Sequence, residues 1–382
     1  MSVIDQTKTE LNLCLSSLFC DTPLPETISE QVKTEARGQF IYPLICNDIT
    51  ALRVIQNNIQ ILHKGARLEE ALAPFPHVIL KGPAAAMFYP EPCRRPLGDI
   101  DILVLPSDFD AACGALMDFG CRYAQTNESP DRHCDFYYRG AVIELHHKFS
   151  QLNSKKQDAL LDRLLYESLD KVRTATVEGI AFPTLPDLMS GITLLAHISQ
   201  HLEQGLGLRQ ILDFCFFVKS RLTDEHFPSF SAITDRLGLT TLAVTTARIG
   251  QIFWHAYPDL QWCKSADDSL ASALFDYCYS CGNFGRKLGV RNTVEMVFSF
   301  GEGNFFGNLQ KRGEENFPAL QKNALLRPLA GICQAGRYIA LGFKRENTLS
   351  RLYQDYLASR NRIRLIRALG ASRMALHDRK KL

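Results

Sequence analysis

Apolar residues recur along this chain with two different spacings. In the first 70 residues they lie at helical intervals, from Leu11 to Leu18 and again from Ile55 to Leu62. Between residues 71 and 183, short apolar runs bounded by glycine and polar residues are typical of strands. Helical spacing then returns in Leu188, Ile192, Leu195, Ile198 and Leu202. The pattern predicts an α+β protein with an N-terminal helical segment (1–70), a strand-bearing domain (71–183) and a C-terminal helical domain (184–382).

Two carboxylates stand at the head of an apolar run in the strand-bearing domain. Asp99 and Asp101 precede Ile102-Leu103-Val104. Because side chains alternate along a strand, we expect both carboxylates on one face, roughly 6.6 Å apart along the strand. Paired carboxylates hold hard cations such as Mg²⁺. A lone Asp-x-Asp is a weak signal, so its weight depends on the neighbouring segments.

The segment upstream has the pattern of a strand, a turn and a helix start. The residues from His77 to Leu80 predict a short buried strand, Lys81-Gly82 turns the chain, and Pro83 suits a first helical position. Backbone N–H groups at such a turn favour an anion, and Lys81 adds a positive charge. Two interpretations remain open: a phosphate site, or an ordinary turn with a solvated lysine.

A third carboxylate lies inside an apolar strand. Gly140 separates two strand-like runs, so Glu144 lies on the second strand of a hairpin. A buried glutamate is costly unless it is paired or binds a metal. If this strand lies beside Asp99 and Asp101, three carboxylates form a two-metal site for a triphosphate and an attacking hydroxyl. The alternative is an ion pair of Glu144 with Arg94 or Arg139.

These segments together resemble the nucleotidyltransferase superfamily with a DNA polymerase β-like palm. They are most similar to a bacterial uncharacterised nucleotidyltransferase family whose turn reads Leu-Lys-Gly instead of Gly-Ser. The resemblance spans about residues 75–290. It is carried by Leu80-Lys81-Gly82, Tyr89-Pro90, Arg95, Gly98 to Val104, His133, Ile143 to His146, His197, His201, Leu208 to Asp213 and Gly282-Asn283-Phe284-Gly285.

The resemblance implies a small mixed-sheet palm flanked by helices and an enzyme that moves a nucleoside monophosphate from an NTP, such as ATP, to an acceptor hydroxyl. Pyrophosphate would be released. Asp99 and Asp101 would hold two Mg²⁺ ions, with Mn²⁺ as a substitute, and Glu144 would complete the catalytic site. The superfamily's phosphate-binding serine is absent after Gly82. Nucleotide binding is therefore expected from Lys81, Gly82, Arg94 and Arg95.

Four histidines are candidates for the cleft: His133, His146, His197 and His201. His197 and His201 are four residues apart and share a helix face. The residues between them do not complete the His-Glu-x-x-His pattern, so a metalloprotease is excluded. Whether this pair faces the cleft or has a purely structural role stays open.

Composition adds an expectation about the compartment. No apolar run reaches the roughly 18–20 residues of a membrane span, and the first residues lack the pattern of a signal peptide. The twelve scattered cysteines indicate reduced core residues, so we expect a cytoplasmic protein. Cys278 and Cys281 form a Cys-x-x-Cys pair, and a zinc or redox protein is the weakest of three functional hypotheses.

Charge is concentrated at the C-terminus. Residues 344–382 hold 11 basic and 3 acidic residues, a net charge of +8, whereas the rest of the chain carries −6. This basic tail suits RNA, an acidic lipid surface or another acidic partner. Alternatively it is the solvated side of a helix whose apolar residues pack on the core. A second functional hypothesis follows: a palm that binds nucleotide or metal without turnover, with the tail as its interaction surface.

Overall fold

The computed structural model contains helices on both sides of one mixed sheet. It describes residues 3–124, 132–149, 152, 154–202, 205–283, 309–310, 313–314, 316–321, 326–344 and 361–370. The sheet runs in the order β3-β4-β5-β2-β1-β7-β6. Its strands are β1 His77–Ile79, β2 Ile100–Val104, β3 Arg122–Tyr123, β4 His133–Tyr138, β5 Ala141–His146, β6 Arg173–Val177 and β7 Ile180–Thr184.

Four helices precede the sheet: α1 Val3–Cys20, α2 Glu30–Gly38, α3 Tyr42–Ile45 and α4 Ile49–Leu72. Local sequence explains where the two capped helices begin. The Ser29 side chain accepts a hydrogen bond from the backbone N–H of α2, and the Asp48 carboxylate accepts two from the first turn of α4. These bonds satisfy N–H groups that have no partner inside the helix.

Short helices connect the strands, and two hairpins close with matching turns. The connecting helices are α5 Pro83–Ala86, α6 Phe109–Asp118 and α7 Lys155–Ser168. Arg139-Gly140 joins β4 to β5 and Glu178-Gly179 joins β6 to β7, each with two positive φ angles. Two successive positive φ angles match the twist of paired strands, which is why glycine stands second in both turns.

The helical region that follows contains α8 Asp187–His201, α9 Leu208–Arg221, α10 Phe227–Leu237, α11 Thr240–Trp254, α12 Asp268–Cys281, α13 Pro318–Gln321 and α14 Leu329–Lys344. Residues 361–368 are also helical. The sequence-based prediction of an α+β fold with a mixed sheet between N-terminal helices and a larger helical region is confirmed.

The sheet separates two hydrophobic cores. On one face, Ile100 and Ile102 of β2 pack with residues of α4 and α6. On the other face, Leu103 belongs to a core shared with the helical region. Because strand side chains alternate, Asp101 lies on the same face as Leu103. The functional candidates of β2 are therefore directed towards the helical region.

The N-terminal helices α1 and α2 share that second core with α9, α11 and α12. Phe19 of α1 stacks on Phe216 of α9, with ring centroids 4.1 Å apart, and packs against Trp254 of α11. The division at residues 70 and 183 stays a proposal about chain organisation, since helices from before and after the sheet are buried against each other. In the described part of the chain, no helix is long and apolar enough to cross a membrane.

Candidate active site

Strand pairing brings three carboxylates together. β2 and β5 run parallel, and their register places Asp101 directly opposite Glu144. Asp99 immediately precedes β2. One oxygen from each of Asp99, Asp101 and Glu144 lies within 4.8 Å of the other two. We call these three residues the carboxylate cluster.

Lys81 supplies the positive charge closest to Asp101. Its Nζ lies 2.9 Å from Asp101 Oδ1 and 3.9 Å from Asp99 Oδ2. Burial alone would raise the pKa of Asp101, but Lys81 and His146 together hold it well below its ordinary value. Burial alone would lower the pKa of Lys81. The negative charges of Asp101 and Asp99 outweigh this effect, so the pKa of Lys81 is raised. Lys81 and Asp101 thus stabilise each other's charged forms.

Glu144 has the opposite tendency from Asp101. Burial raises its pKa to about 7, and the neighbouring charge of Asp101 adds to the rise, although His146 opposes it. The Nε2 atom of His146 lies 3.1 Å from Asp101 Oδ1 and 3.2 Å from Glu144 Oε2. Burial lowers the pKa of His146, but its bonds to these two carboxylates raise it overall. One imidazole therefore bridges the two paired strands.

The carboxylate cluster fits a divalent cation by its donor set. Asp101 Oδ2 is buried and has no hydrogen-bond partner among the described residues. A buried carboxylate oxygen without a partner is costly unless a ligand satisfies it. Oxygen donors from three carboxylates are the ligands that Mg²⁺ and Mn²⁺ prefer. Asp99, Asp101 and Glu144 are accordingly the residues suited to hold such ions.

Gly82 shapes the turn beside the cluster. Its φ is +63°, and a Cβ at this position would lie 3.2 Å from the backbone oxygen of Asp99. Pro83 follows at the start of α5, as its position in the sequence predicted. Glycine is required here both by its backbone conformation and by its close approach to Asp99. The sequence analysis left a phosphate site and an ordinary turn open, and this contact with Asp99 is an additional reason for the glycine.

The four predicted cleft histidines form two pairs of neighbouring rings. His133 lies opposite His146 in the β4–β5 pair, with ring centroids 4.8 Å apart. The rings of His197 and His201 on α8 are 4.4 Å apart. Burial and the nearby charge of Lys81 lower the pKa of both α8 histidines, that of His201 to about 4. The helical region therefore presents two neutral imidazoles near Lys81.

Arg94 and Arg95 form hydrogen bonds and salt bridges with other residues of the chain. Arg95 is buried and forms a two-bond salt bridge with Asp213 of α9, at 2.8 and 2.7 Å. Arg94 donates to backbone carbonyls of Pro43 and Cys46 and pairs with Glu91. The predicted alternative, an ion pair between Glu144 and an arginine, is not found among the described residues; the recorded ion pair of Glu144 is with His146.

Sequence reasoning did not select Asp135, and it named Asp213 within the Leu208 to Asp213 run without assigning it to the site. Asp135 lies opposite Glu144 in the β4–β5 register and 3.3 Å from His133. Its spacing of two from His133 was the signal that could have identified it. Asp213 joins Arg95 and the hydroxyl of Tyr89, which donates at 2.7 Å. These bonds connect the segment before β2 to the helical region, and only tertiary packing reveals them.

The environment of the Cys-x-x-Cys pair favours packing in the core over metal binding or redox exchange. Both Cys278 and Cys281 are buried. Burial raises the pKa of the Cys278 thiol well above its ordinary value, and Cys281 adds to the rise. A raised pKa disfavours the thiolate that zinc binding and redox exchange require. Neither residue belongs to a group of metal-ligating side chains in the described part of the chain.

A mixed sheet flanked by helices, with carboxylates converging from adjacent strands, is compatible with a nucleotidyltransferase-like fold. The chain belongs to the Uncharacterised nucleotidyltransferase family, whose model matches residues 50–255. The match begins earlier than the predicted resemblance and ends before the Gly282-Asn283-Phe284-Gly285 run, of which Phe284 and Gly285 lie outside the described residues. No match is found among curated proteins or among solved structures.

Proposed function

We propose that this chain is a metal-dependent enzyme that transfers a nucleoside monophosphate from an NTP to an acceptor hydroxyl. The single observation that carries the proposal is the parallel pairing of Asp101 with Glu144, which gathers three carboxylates within 4.8 Å. Membership of the family supports nucleotidyl transfer in general. The proposal adds to this the metal dependence, the site residues and a hydroxyl as the acceptor.

The proposed reaction is a displacement at the α-phosphorus of the NTP. The acceptor oxygen forms a bond to the α-phosphorus of the NTP, and the bond from that phosphorus to the pyrophosphate oxygen breaks. The hydroxyl proton passes to the Glu144 carboxylate, whose side chain is 25% exposed and so accessible from the cleft. Catalysis of this kind depends mostly on positioning and charge neutralisation.

The remaining roles follow from charge and location. Asp99, Asp101 and Glu144 would hold two Mg²⁺ ions, or Mn²⁺ in their place, which when bound neutralise charge on the triphosphate. Lys81 is the basic residue best placed for the phosphates, because its ammonium already lies beside Asp99 and Asp101. His197 and His201 of α8 would line the wall of the cleft near Lys81.

Labelled product formation tests the proposal. Each of the four NTPs, labelled at the α-phosphate, is incubated with the protein, Mg²⁺ and fractionated cell extract, and pyrophosphate is measured in parallel. We expect labelled product and pyrophosphate from the wild type. Asp101→Asn should lower both by about 10²-fold or more, because it removes a ligand of the metal ions that would neutralise charge in the transition state. Asp110→Asn, an exposed carboxamide substitution on α6, is the matched control.

Two outcomes count against catalysis by this cluster. Equal labelling by the wild type and a folded Asp101→Asn variant would place the chemistry elsewhere. Nucleotide binding without any labelled product would favour the alternative, a nucleotide- or metal-binding protein without turnover. Circular dichroism and thermal melting of both variants establish that each is folded before the comparison is made.

A further inference from the structure

The face of the sheet that carries the carboxylate cluster also carries a row of imidazoles. Across β2, β5 and β4, one row reads Asp101, Glu144 and Asp135. The next row, two residues along each strand, reads Leu103, His146 and His133. All six side chains lie on one face, because positions two apart on a strand point the same way. Oxygen and nitrogen donors are therefore arranged side by side.

His146 and the two nearest carboxylates are separated by the distance expected between two ligands of one metal ion. Its Nε2 is 3.2 Å from Glu144 Oε2 and 3.1 Å from Asp101 Oδ1. Two ligands that each bind one ion at about 2.1 Å lie roughly 3.0–3.4 Å apart. The hydrogen bonds of His146 thus hold these three atoms at separations that also suit coordination of a shared ion.

His133 completes a second group of potential ligands. One ligand atom from each of His133, Glu144 and His146 lies within 4.8 Å of the other two. The second ring nitrogen of His146, Nδ1, is buried and has no hydrogen-bond partner among the described residues. Both groups of ligands include Glu144. The carboxylate cluster offers only oxygen atoms, whereas the second group contains two imidazoles.

We propose that His133, Glu144 and His146 form a nitrogen-containing metal position that binds a divalent transition-metal ion in preference to Mg²⁺. The inference shares Glu144 with the proposed function but does not depend on turnover. Imidazole suits Zn²⁺ and similar ions, whereas Mg²⁺ takes oxygen ligands and gives up its water reluctantly. The carboxylate cluster retains Asp99 and Asp101 for a hard cation. The site then distinguishes two ions by the chemistry of their ligands.

Metal titrations of the full chain without nucleotide test this position. Calorimetry with Zn²⁺ alone and Mg²⁺ alone gives the two affinities, and electron paramagnetic resonance with Cu²⁺ alone, an ion that imidazole also suits, detects coordinated imidazole ¹⁴N. We expect ¹⁴N coupling in the wild type. His133→Gln and His146→Gln should each weaken Zn²⁺ binding by about tenfold or more. His133→Gln should change Mg²⁺ affinity by less than about threefold, because the carboxylate cluster keeps its oxygen ligands and its bonds to His146. His77→Gln, on β1 of the same sheet, is the control and should change neither affinity.

The inference is overturned if bound Cu²⁺ shows no ¹⁴N coupling in the wild type. It is also overturned if Zn²⁺ binding is the same in the wild type and in both folded histidine variants. Asp99→Asn supplies the complementary comparison, since it should weaken Mg²⁺ more than Zn²⁺. The labelled-product assay is independent of these titrations, so failure of the proposed transfer and failure of the nitrogen-containing position are distinguishable.

Discussion

Lys81 and the carboxylate cluster have opposite charges, and this decides how the site responds to a cation. The Lys81 ammonium lies 2.9 Å from Asp101 Oδ1 and neutralises part of the cluster. An incoming divalent ion competes with this ammonium for the same oxygens. A triphosphate, by contrast, would benefit from the positive charge. Lys81 should therefore affect metal binding and nucleotide binding in opposite directions.

Replacing Lys81 by methionine tests this competition. We expect Lys81→Met to tighten Mg²⁺ binding in the absence of nucleotide and to weaken NTP binding, each by about tenfold, the size of one charge-assisted contact. Calorimetric titration with Mg²⁺ alone, and then with a non-hydrolysable NTP analogue, measures both. Lys171→Met, an exposed substitution, is the control. A loss of Mg²⁺ affinity in Lys81→Met would show that the lysine organises the cluster instead of competing at it.

At the scale of elements, the contact of α4 with β1 contains a titratable pair. His77 Nε2 lies 3.0 Å from Glu69 Oε2, and His77 Nδ1 lies 2.8 Å from the carbonyl oxygen of Phe75. Burial alone would lower the pKa of His77, but these two acceptors outweigh it and raise the pKa above its ordinary value. The folded protein therefore holds the His77 proton more tightly than the unfolded chain does.

The sign of the pH effect follows from this difference. A raised pKa in the folded state stabilises the protein fully below the unfolded value of about 6.5, and the gain is lost as the pH rises through the folded value. We expect Glu69→Gln to reduce the free energy of unfolding by about 1 kcal/mol at pH 5.5 and by less at pH 8.5. Urea denaturation at the two pH values measures it, with Glu70→Gln as the neighbouring control. An equal loss at both values would contradict a charged His77.

Elements also show where local sequence was sufficient. The Arg139-Gly140 turn joins the hairpin that contains Glu144, as Gly140 between two apolar runs predicted. The apolar spacing of the first 70 residues gave helices, and their starts coincide with the capping residues Ser29 and Asp48. Local signals were less successful at α6. The Ser107-x-x-Asp110 pattern predicts a side-chain cap, but α6 begins after Asp108 without a side-chain hydrogen bond at its cap.

At the scale of the whole molecule, part of the basic tail belongs to the core. Ile366 and Leu369 are fully buried and join the core shared by the helical region. Arg362 lies over the ring of Tyr277, 5.5 Å from its centroid. Arg364 is exposed. The packed interpretation of the tail concerns Leu352, Tyr356, Ile363 and Ile366. It is confirmed for Ile366, and Ile363 is half-buried, whereas Leu352 and Tyr356 lie outside the described residues.

Two substitutions in this helix separate packing from surface charge. Ile366→Ala should lower the free energy of unfolding by about 2–4 kcal/mol, because it leaves a cavity in the core. Arg364→Ala should change it by less than about 0.5 kcal/mol. Chemical denaturation of the full-length variants measures both. A negligible effect of Ile366→Ala would mean that the helix is not held on the core, and the tail would again be a candidate surface for RNA.

The sequence by itself determined the class of fold and the chemistry of the candidate site. Helical and strand spacing depend on neighbouring residues, so the α+β arrangement and the shared face of Asp99 and Asp101 could be predicted. An acid inside an apolar strand marked Glu144 as a residue that needs a partner. The resemblance of these segments to a known family was readable from the same residues, and the family match agrees with it.

Only the tertiary structure decided which partners these residues have. The register of β2 against β5 sets Asp101 opposite Glu144 and brings His146 to both. Packing of α9 against the segment before β2 pairs Arg95 with Asp213. Register and helix packing join residues more than forty positions apart. Their free energy depends on the whole set of buried contacts, so no local pattern specifies them.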